Sequence, residues 1–232
     1  MLKYKAVWHT VFVLALLAIL LVSRSLPVSE SADTLPHSQA VLIDAGHGGF
    51  DGGTTAIDGT LEKDINLAIA LDLRDVLRLL GVTVEMTREQ DESIHDEGCD
   101  TVREKKVSDM VNRLAMYDAA AMTVSIHQNH FSASKYNGAQ LFYSPSHPVS
   151  MQLTNSIRQQ IVSLVQPDNK REPKQVSKDV FLLHKTVKPA VLVECGFLSN
   201  PQDNEALKTQ IYQQKMALAI AVGILDVYTA EE

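Results

Sequence analysis

The chain has 232 residues and a formal net charge of −7, from 21 Lys and Arg against 28 Asp and Glu. This length allows one α/β domain with a sizeable core, and at most two. The negative charge argues against a nucleic-acid-binding protein, because neutralising phosphates needs clustered Lys and Arg that this chain does not supply. The two cysteines, Cys99 and Cys195, match no zinc-ribbon or redox spacing, so we interpret them as unpaired thiols.

Residues 1–23 predict an export signal or a membrane anchor. Lys3 and Lys5 precede an apolar run over residues 11–22, the order of a basic n-region and an apolar h-region. The run is shorter than the roughly 20 residues of a comfortable transmembrane helix, yet no clean small-residue cleavage site follows it. We therefore favour an uncleaved signal-anchor over a cleaved signal peptide, with the rest of the chain outside the membrane.

The folded domain is expected over residues 40–229, after a Ser- and Pro-rich stretch, residues 24–39, that predicts a solvated tether. It opens with an apolar strand that ends in Asp44 and leads into a glycine-rich loop carrying His47. Because α/β sheets place ligand sites at the carboxyl ends of strands, His47 is a candidate site residue. A flexible turn with an incidental histidine is the alternative, and a phosphate-binding loop is a weaker one.

A helix is predicted over residues 61–80, where apolar residues recur with helical spacing. Glu62 falls in its first turn, where the helix dipole favours negative charge, so a surface acid is one interpretation. The other is a site role, because the loop bearing His47 leads directly into this helix. A strand over residues 82–87 then completes a β-α-β unit with a parallel, right-handed crossover.

The next helix is predicted over residues 101–121, with an apolar face of Val107, Val111 and Leu114. A short strand follows and ends at His127, on the same rim as His47 if the sheet is parallel; a structural histidine is the alternative. His130 is the weaker ligand candidate, because only one histidine of the pair is expected to point inward.

The rest of the domain continues the alternation of strands and helices. An acidic residue, Glu194, directly follows the last predicted strand. The predicted elements are a strand over 139–143, a helix over 150–165, a mobile loop over 166–178, strands over 180–183 and 190–193, and helices from Pro201 to Tyr228. This pattern predicts a single α/β domain.

Two histidines and one carboxylate at element ends match a catalytic zinc site, which has three protein ligands and an open fourth position. His47, Glu62 and His127 are the candidates. Such a site also needs a carboxylate that is not a ligand, to act as general base and acid, and Glu194 is the candidate.

Five motifs in order resemble those of the zinc-dependent N-acetylmuramoyl-L-alanine amidases of the amidase-3 type. They lie at residues 44–49, 61–64, 86–88, 125–129 and 193–200. The resemblance covers residues 40–228, and five linked motifs are far more specific than any one. Cys195 and His130 depart from commoner residues beside the motifs, and neither departure removes a candidate ligand.

The resemblance implies a central twisted, mostly parallel sheet flanked by helices, with zinc (Zn²⁺) held by His47, Glu62 and His127. It implies Glu194 as the acid/base in hydrolysis of the amide between the lactyl group of N-acetylmuramic acid and L-alanine. Arg88 is left outside the site, because it fits either substrate carboxylates or a structural ion pair.

Among these amidases the chain most resembles the germination-specific spore-cortex enzymes. This implies peptidoglycan as substrate, export to the cell wall or forespore intermembrane space, and a muramic acid deacetylase acting downstream toward muramic δ-lactam. It also raises the question of an activating protein. The alternatives are a non-catalytic or partner-regulated peptidoglycan-binding protein and a zinc hydrolase for another wall bond, since fold alone does not fix the reaction.

Overall fold

The computed structural model describes residues 40–228, which belong to one compact unit. They contain a six-stranded sheet with the spatial order β2-β1-β3-β6-β4-β5. The strands are Val41–Ala45 (β1), Val84–Met86 (β2), Met122–Asn129 (β3), Gln140–Tyr143 (β4), Lys174–Gln175 (β5) and Ala190–Phe197 (β6). Strands β1, β2, β3 and β6 run parallel, whereas β4 pairs with β6 in the antiparallel direction. The sheet is therefore mostly parallel, as predicted.

Helices cover both faces of this sheet. They are Glu62–Leu79 (α1), Val102–Ala119 (α2), Pro148–Leu164 (α3), Phe181–Lys185 (α4), Pro201–Leu207 (α5) and Gln210–Tyr228 (α6). Side chains of α1, α3 and α6 form one core with Val41, Ile43 and other strand residues. On the opposite face, α2 and α4 pack around Leu42 and Leu192. The alternation along β1 places Asp44 on the same face as Leu42, and the predicted α/β fold is confirmed.

The predictions for residues 1–39, a signal-anchor or signal peptide and a tether, lie outside the described residues. So does residue 229, the predicted end of the domain. Within residues 40–228, every helix is too short or too polar to cross a membrane.

Two predictions in the second half of the domain are wrong. Residues 180–183, predicted as a strand, lead into and form part of α4, where the N–H of His184 donates to the carbonyl of Val180 at 3.0 Å. Leu182 and Leu183 are consecutive and both buried, which a strand with one solvent-facing side does not allow. The predicted mobile loop over residues 166–178 contains β5, which pairs with β4.

The buried face of α2 also differs from the predicted one. Val107 and Val111 are 58% and 55% exposed, whereas Asp109, Arg113 and Tyr117 are buried. Asp44 is fully buried on β1 and needs hydrogen-bond donors inside the protein, because an unpaired buried charge is very costly. The need to pair this charge therefore outweighs the apolar periodicity of the helix.

Candidate metal centre

His47 lies in the glycine loop after β1 and has a positive φ of 62°, which few non-glycine residues adopt. Contacts hold it there. The backbones of Gly48 and Asp51 bridge each other, and Arg113 donates from Nη2 to the His47 carbonyl at 2.8 Å. Nδ1 of the ring lies 3.0 Å from Oδ2 of Asp51. The loop therefore fixes the ring so that Nε2 lies 3.3 Å from Oε2 of Glu62.

Glu62 begins α1 and is only 3% exposed, which excludes the surface-acid interpretation. Its Oε1 lies 2.9 Å from Nδ1 of His127, and the backbone N–H groups of Thr54 and Gln128 donate to its two oxygens at 2.8 and 3.1 Å. One ligand atom from each of His47, Glu62 and His127 lies within 4.8 Å of the other two. The fold thus brings together the three residues that the sequence placed at separate element ends.

Two glycines make this close approach possible. A Cβ at Gly46 would lie 2.2 Å from Nε2 of His127. A Cβ at Gly53, where φ is +68°, would lie 2.6 Å from Oε2 of Glu62 and 2.7 Å from Cδ2 of His47. Packing therefore requires glycine at both positions, and at Gly53 the positive φ favours glycine as well.

In this cluster the charged form of His47 and the carboxylate of Glu62 stabilise each other. Although burial opposes the charged imidazole, hydrogen bonds to Asp51 and Glu62 raise the pKa of His47 to about 9. Burial also opposes the charged form of Glu62, yet His127 and His47 hold the pKa of its carboxyl well below its usual range. Two imidazoles and one carboxylate are a donor set that suits a divalent metal of zinc type, so the residues present fit such an ion.

Glu194 lies on β6 directly beside His127 in the sheet register. Its Oε2 is buried and has no hydrogen-bond partner among the described residues. Burial raises the pKa of the Glu194 carboxyl to about 7. Buried polar atoms normally have partners, and a pKa near 7 suits proton transfer. Glu194 therefore has the properties of a general base and acid without belonging to the metal-ligand cluster.

Asp44 and Arg113 form a buried network beneath the loop. Arg113 donates to Asp44 and, from Nε, to Oδ2 of Asp109 at 2.6 Å. Tyr117 and Ser125 donate to Oδ2 of Asp44 at 2.6 and 2.7 Å. Against the opposing effect of burial, Arg113 and Tyr117 hold the pKa of Asp44 well below its usual range. Because Arg113 also binds the His47 carbonyl, this network anchors the loop to α2.

Arg88 has neither of the roles considered from the sequence. It is 2% exposed and donates to the backbone carbonyls of Ala45, Gly46, Lys63 and Gln90 at 2.8–3.1 Å. Its guanidinium has no carboxylate ion pair within residues 40–228. Arg88 therefore supports the backbone of the glycine loop at Ala45 and Gly46.

Asp51 is the residue near the cluster that the sequence analysis missed. Besides His47, its carboxylate faces Lys106, whose Nζ lies 3.3 Å from Oδ1, and the hydrogen bond from His47 holds the pKa of Asp51 well below its usual range. The available signal was an acid four residues after a candidate ligand in the same loop. His130 is exposed and outside the cluster, and both cysteines are free, as predicted.

A cleft of about 400 Å³ opens beside the cluster. The cleft is lined by His47, His127 and Glu194 together with Met110, Phe181 and other apolar residues of α2 and α4. A concave, partly apolar cleft with a few converging polar groups is the usual form of a ligand site.

Several known proteins are similar to this chain in sequence and fold. Residues 41–226 match the amidase-3 family, N-acetylmuramoyl-L-alanine amidase. The germination-specific N-acetylmuramoyl-L-alanine amidase of Bacillus subtilis is 34% identical over 200 residues, covering 84% of this chain and 83% of the relative. The CwlD amidase from Clostridioides difficile, solved in complex with the GerS lipoprotein, is 41% identical with a TM-score of 0.79, covering 84% of this chain and all of that one. The N-acetylmuramoyl-L-alanine amidase AmiC2 of Nostoc punctiforme is 30% identical with a TM-score of 0.66, covering 84% of this chain and 98% of that one.

These similarities extend from β1 into α6 and so include every element that carries the cluster and Glu194. They confirm the resemblance drawn from the five motifs and the amidase-3 type of fold. The chain is therefore a hydrolytic enzyme and belongs to the N-acetylmuramoyl-L-alanine amidase family.

Proposed function

We propose that the protein hydrolyses the amide bond between the lactyl group of N-acetylmuramic acid and L-alanine in peptidoglycan, with zinc held by His47, Glu62 and His127. The observation that carries this proposal is the position of Glu194. Glu194 is paired with His127 in the sheet, has an unpartnered carboxylate oxygen, and lines the same cleft as His47 and His127 of the cluster that could hold a metal. The family match supports the bond that is cleaved.

A zinc ion at this position supplies Lewis acidity, which polarises a carbonyl group and lowers the pKa of water. The protein residues supply the proton transfers. With a pKa of about 7, Glu194 is partly ionised at neutral pH and accepts a proton from the attacking water. The same carboxyl then returns that proton to the amine of L-alanine as the amide bond breaks. Asp51 holds the His47 ring in the orientation that leaves Nε2 toward the cluster.

The biological setting we propose is the spore cortex. Support comes from a germination-specific relative at 34% identity and a structural relative solved with a lipoprotein. We propose that this chain is exported, held at a membrane by its N-terminal segment, and assisted by a lipoprotein. A deacetylase that converts the peptide-free muramic acid to muramic δ-lactam would act on the product.

Mass spectrometry of purified peptidoglycan after digestion tests the reaction. Muramic acid residues without peptide, together with released intact stem peptides, are the expected products. Shortened peptides would indicate a peptidase, loss of acetyl groups a deacetylase, and an unchanged polymer a binding protein. The digestion is done with the zinc-loaded protein, with and without a coexpressed lipoprotein partner, so that a partner requirement is not mistaken for lack of activity.

A further inference from the structure

Three aromatic and two cationic side chains meet at the carboxyl ends of β3 and β6. The rings of Phe131 and Phe197 stack with centroids 5.8 Å apart and planes at 22°, and the ring of Tyr136 lies 5.3 Å from that of Phe131. The Arg171 guanidinium lies 4.7 Å from the Phe197 centroid, and Nζ of Lys135 lies 5.4 Å from that of Tyr136. We call these five residues the aromatic-cationic patch.

The patch is exposed but firmly supported. Phe131 and Tyr136 are 51% and 39% exposed, whereas Phe197 beneath them is fully buried. The backbone N–H of Phe131 donates to Oγ of Ser199 at 3.0 Å, which fixes the chain beyond β3. Adjacent exposed aromatic rings on a rigid base are typical of a binding surface rather than of scattered surface residues.

The two cations of the patch lack carboxylate partners within residues 40–228. Nε of Arg171 donates to the backbone carbonyl of Asn137 at 2.9 Å. Asp203, which Arg171 influences electrostatically, already accepts through Oδ2 the backbone N–H groups of Gly138 and Phe197. In a chain with net charge −7, two neighbouring cations without ion pairs favour an anionic ligand, and a guanidinium is well suited to a carboxylate.

The patch lies within reach of the candidate metal centre. In the register of β3 and β6, His127 pairs with Glu194, and Asn129 pairs with Phe197. The register shifts between these pairs, so at a rise of about 3.3 Å per residue Phe197 is at most about 10 Å beyond Glu194. An extended peptide spans roughly 3.3–3.6 Å per residue, so the second and third residues of a stem peptide lie about 7–10 Å from the scissile amide.

We propose that the aromatic-cationic patch binds the stem peptide of the substrate, with Lys135 and Arg171 contacting its carboxylates and the rings of Phe131 and Tyr136 contacting its aliphatic parts. This inference rests on the proposed function. The peptide suits the patch better than the glycan strand, because the strand is uncharged where its lactyl groups are amidated and gives the two cations no partner.

The test compares two synthetic muramoyl-peptides that differ only in charge, one with free side-chain carboxylates and one with the same groups amidated. Lys135→Glu should lower kcat/KM on the acidic compound by about tenfold, the effect of losing about 1.4 kcal/mol of charged hydrogen bonding, mainly by raising KM. On the amidated compound the change should be under about twofold. Lys215→Glu, the same charge reversal at an exposed lysine of α6, is the matched control and should alter neither value.

Phe131→Ala is the second variant, and it should raise KM for both compounds, because the rings contact aliphatic groups that both share. The proposal is overturned if Lys135→Glu lowers kcat/KM equally for the two compounds. It is also overturned if the loss of kcat/KM depends on glycan length instead of peptide charge, which would assign the patch to the sugar strand. Failure of the proposed function is distinct, since the wild-type protein would then release peptide from neither compound.

Discussion

Oδ2 of Asp51 lies 3.0 Å from Nδ1 of His47, on the opposite side of the ring from the nitrogen that faces Glu62. A carboxylate in this position fixes the tautomer and orientation of a metal-binding histidine and makes it a better ligand. His47 has added need of such support, because its backbone has a positive φ.

Asp51→Asn is therefore expected to weaken zinc binding by about 10- to 100-fold while the fold is retained. Competition with a chelator of known affinity measures the effect, and circular dichroism checks the fold. Asp226→Asn is the control, because this exposed acid contacts Ser156 and Gln160 on α3, away from the cluster. Unchanged zinc affinity in Asp51→Asn would show that the hydrogen bond has no role in metal binding.

The raised pKa of His47 predicts how the stability of the metal-free protein depends on pH. The pKa is about 9 in the folded protein against an ordinary value of 6.5, so the folded state binds the proton more tightly. The resulting stabilisation is fully present below about pH 6.5 and is lost as the pH rises through about 9. Urea unfolding of chelator-treated protein across this range should show a falling free energy of unfolding.

With zinc present the trend should reverse over the same range, because zinc displaces a proton from His47 and binds more tightly as the proton concentration falls. Proton release on zinc binding, followed by calorimetry in buffers of different ionisation enthalpy, checks the same linkage. A metal-free protein whose stability rises between about pH 6.5 and 9 would contradict the assigned charge of His47.

Substitution of each candidate ligand in turn distinguishes residues that bind zinc from residues that only lie nearby. His47→Ala or His127→Ala should abolish stoichiometric zinc binding, and Glu62→Gln should weaken it, because a neutral amide is a poorer ligand than a carboxylate. His130→Ala is the control from the same strand end, and its zinc content should stay at the wild-type level. Metal analysis after gel filtration gives the answer. Zinc that survives loss of His127 and disappears with His130 would reverse the assignment.

The mostly parallel sheet agrees with the prediction, and the close approach of His47, Glu62 and His127 could be expected because strand ends in a parallel sheet share one edge. The histidines and Glu62 came from different segments, yet each followed or preceded a strongly periodic element. The role of Asp51 was not predicted, because its hydrogen bond to His47 depends on the conformation of the loop backbone. Glycine residues allow many such conformations, so the sequence does not specify one.

The errors elsewhere have two different physical origins. The periodicity of α2 predicted that Val107 and Val111 are buried, but Asp44 recruits Arg113 and Tyr117 to the interior instead. The apolar periodicity of a helix does not show which distant buried charge its polar residues must neutralise. In α4, five residues are too few to distinguish helical from strand periodicity.

Two glycines of the same loop offer a sharp test of the packing around the cluster. In Gly46→Ala the new Cβ would lie 2.2 Å from the His127 ring, so the ring must move and zinc binding should fall steeply. In Gly52→Ala the Cβ meets only Cδ2 of Leu61, at an ordinary 3.6 Å, so zinc content and activity should change little. Equal zinc content in the two variants would show that the loop adjusts more easily than its contacts imply.

The most direct test of the proposed mechanism concerns Glu194. Glu194→Gln keeps the shape of the side chain but removes the group that accepts and returns a proton. Because Glu194 is outside the metal-ligand cluster, zinc content and folding should survive.

Hydrolysis of peptidoglycan by Glu194→Gln should fall by about two to four orders of magnitude, the usual contribution of general acid-base catalysis. The thermal stability of Glu194→Gln should equal or exceed that of the wild-type protein. Burial disfavours the charged form of the Glu194 carboxyl, whose Oε2 has no hydrogen-bond partner among the described residues. Glu205→Gln, an exposed change on α5, controls for loss of charge. Near-full activity at wild-type zinc occupancy would refute the catalytic role, and loss of zinc would make Glu194 a ligand instead.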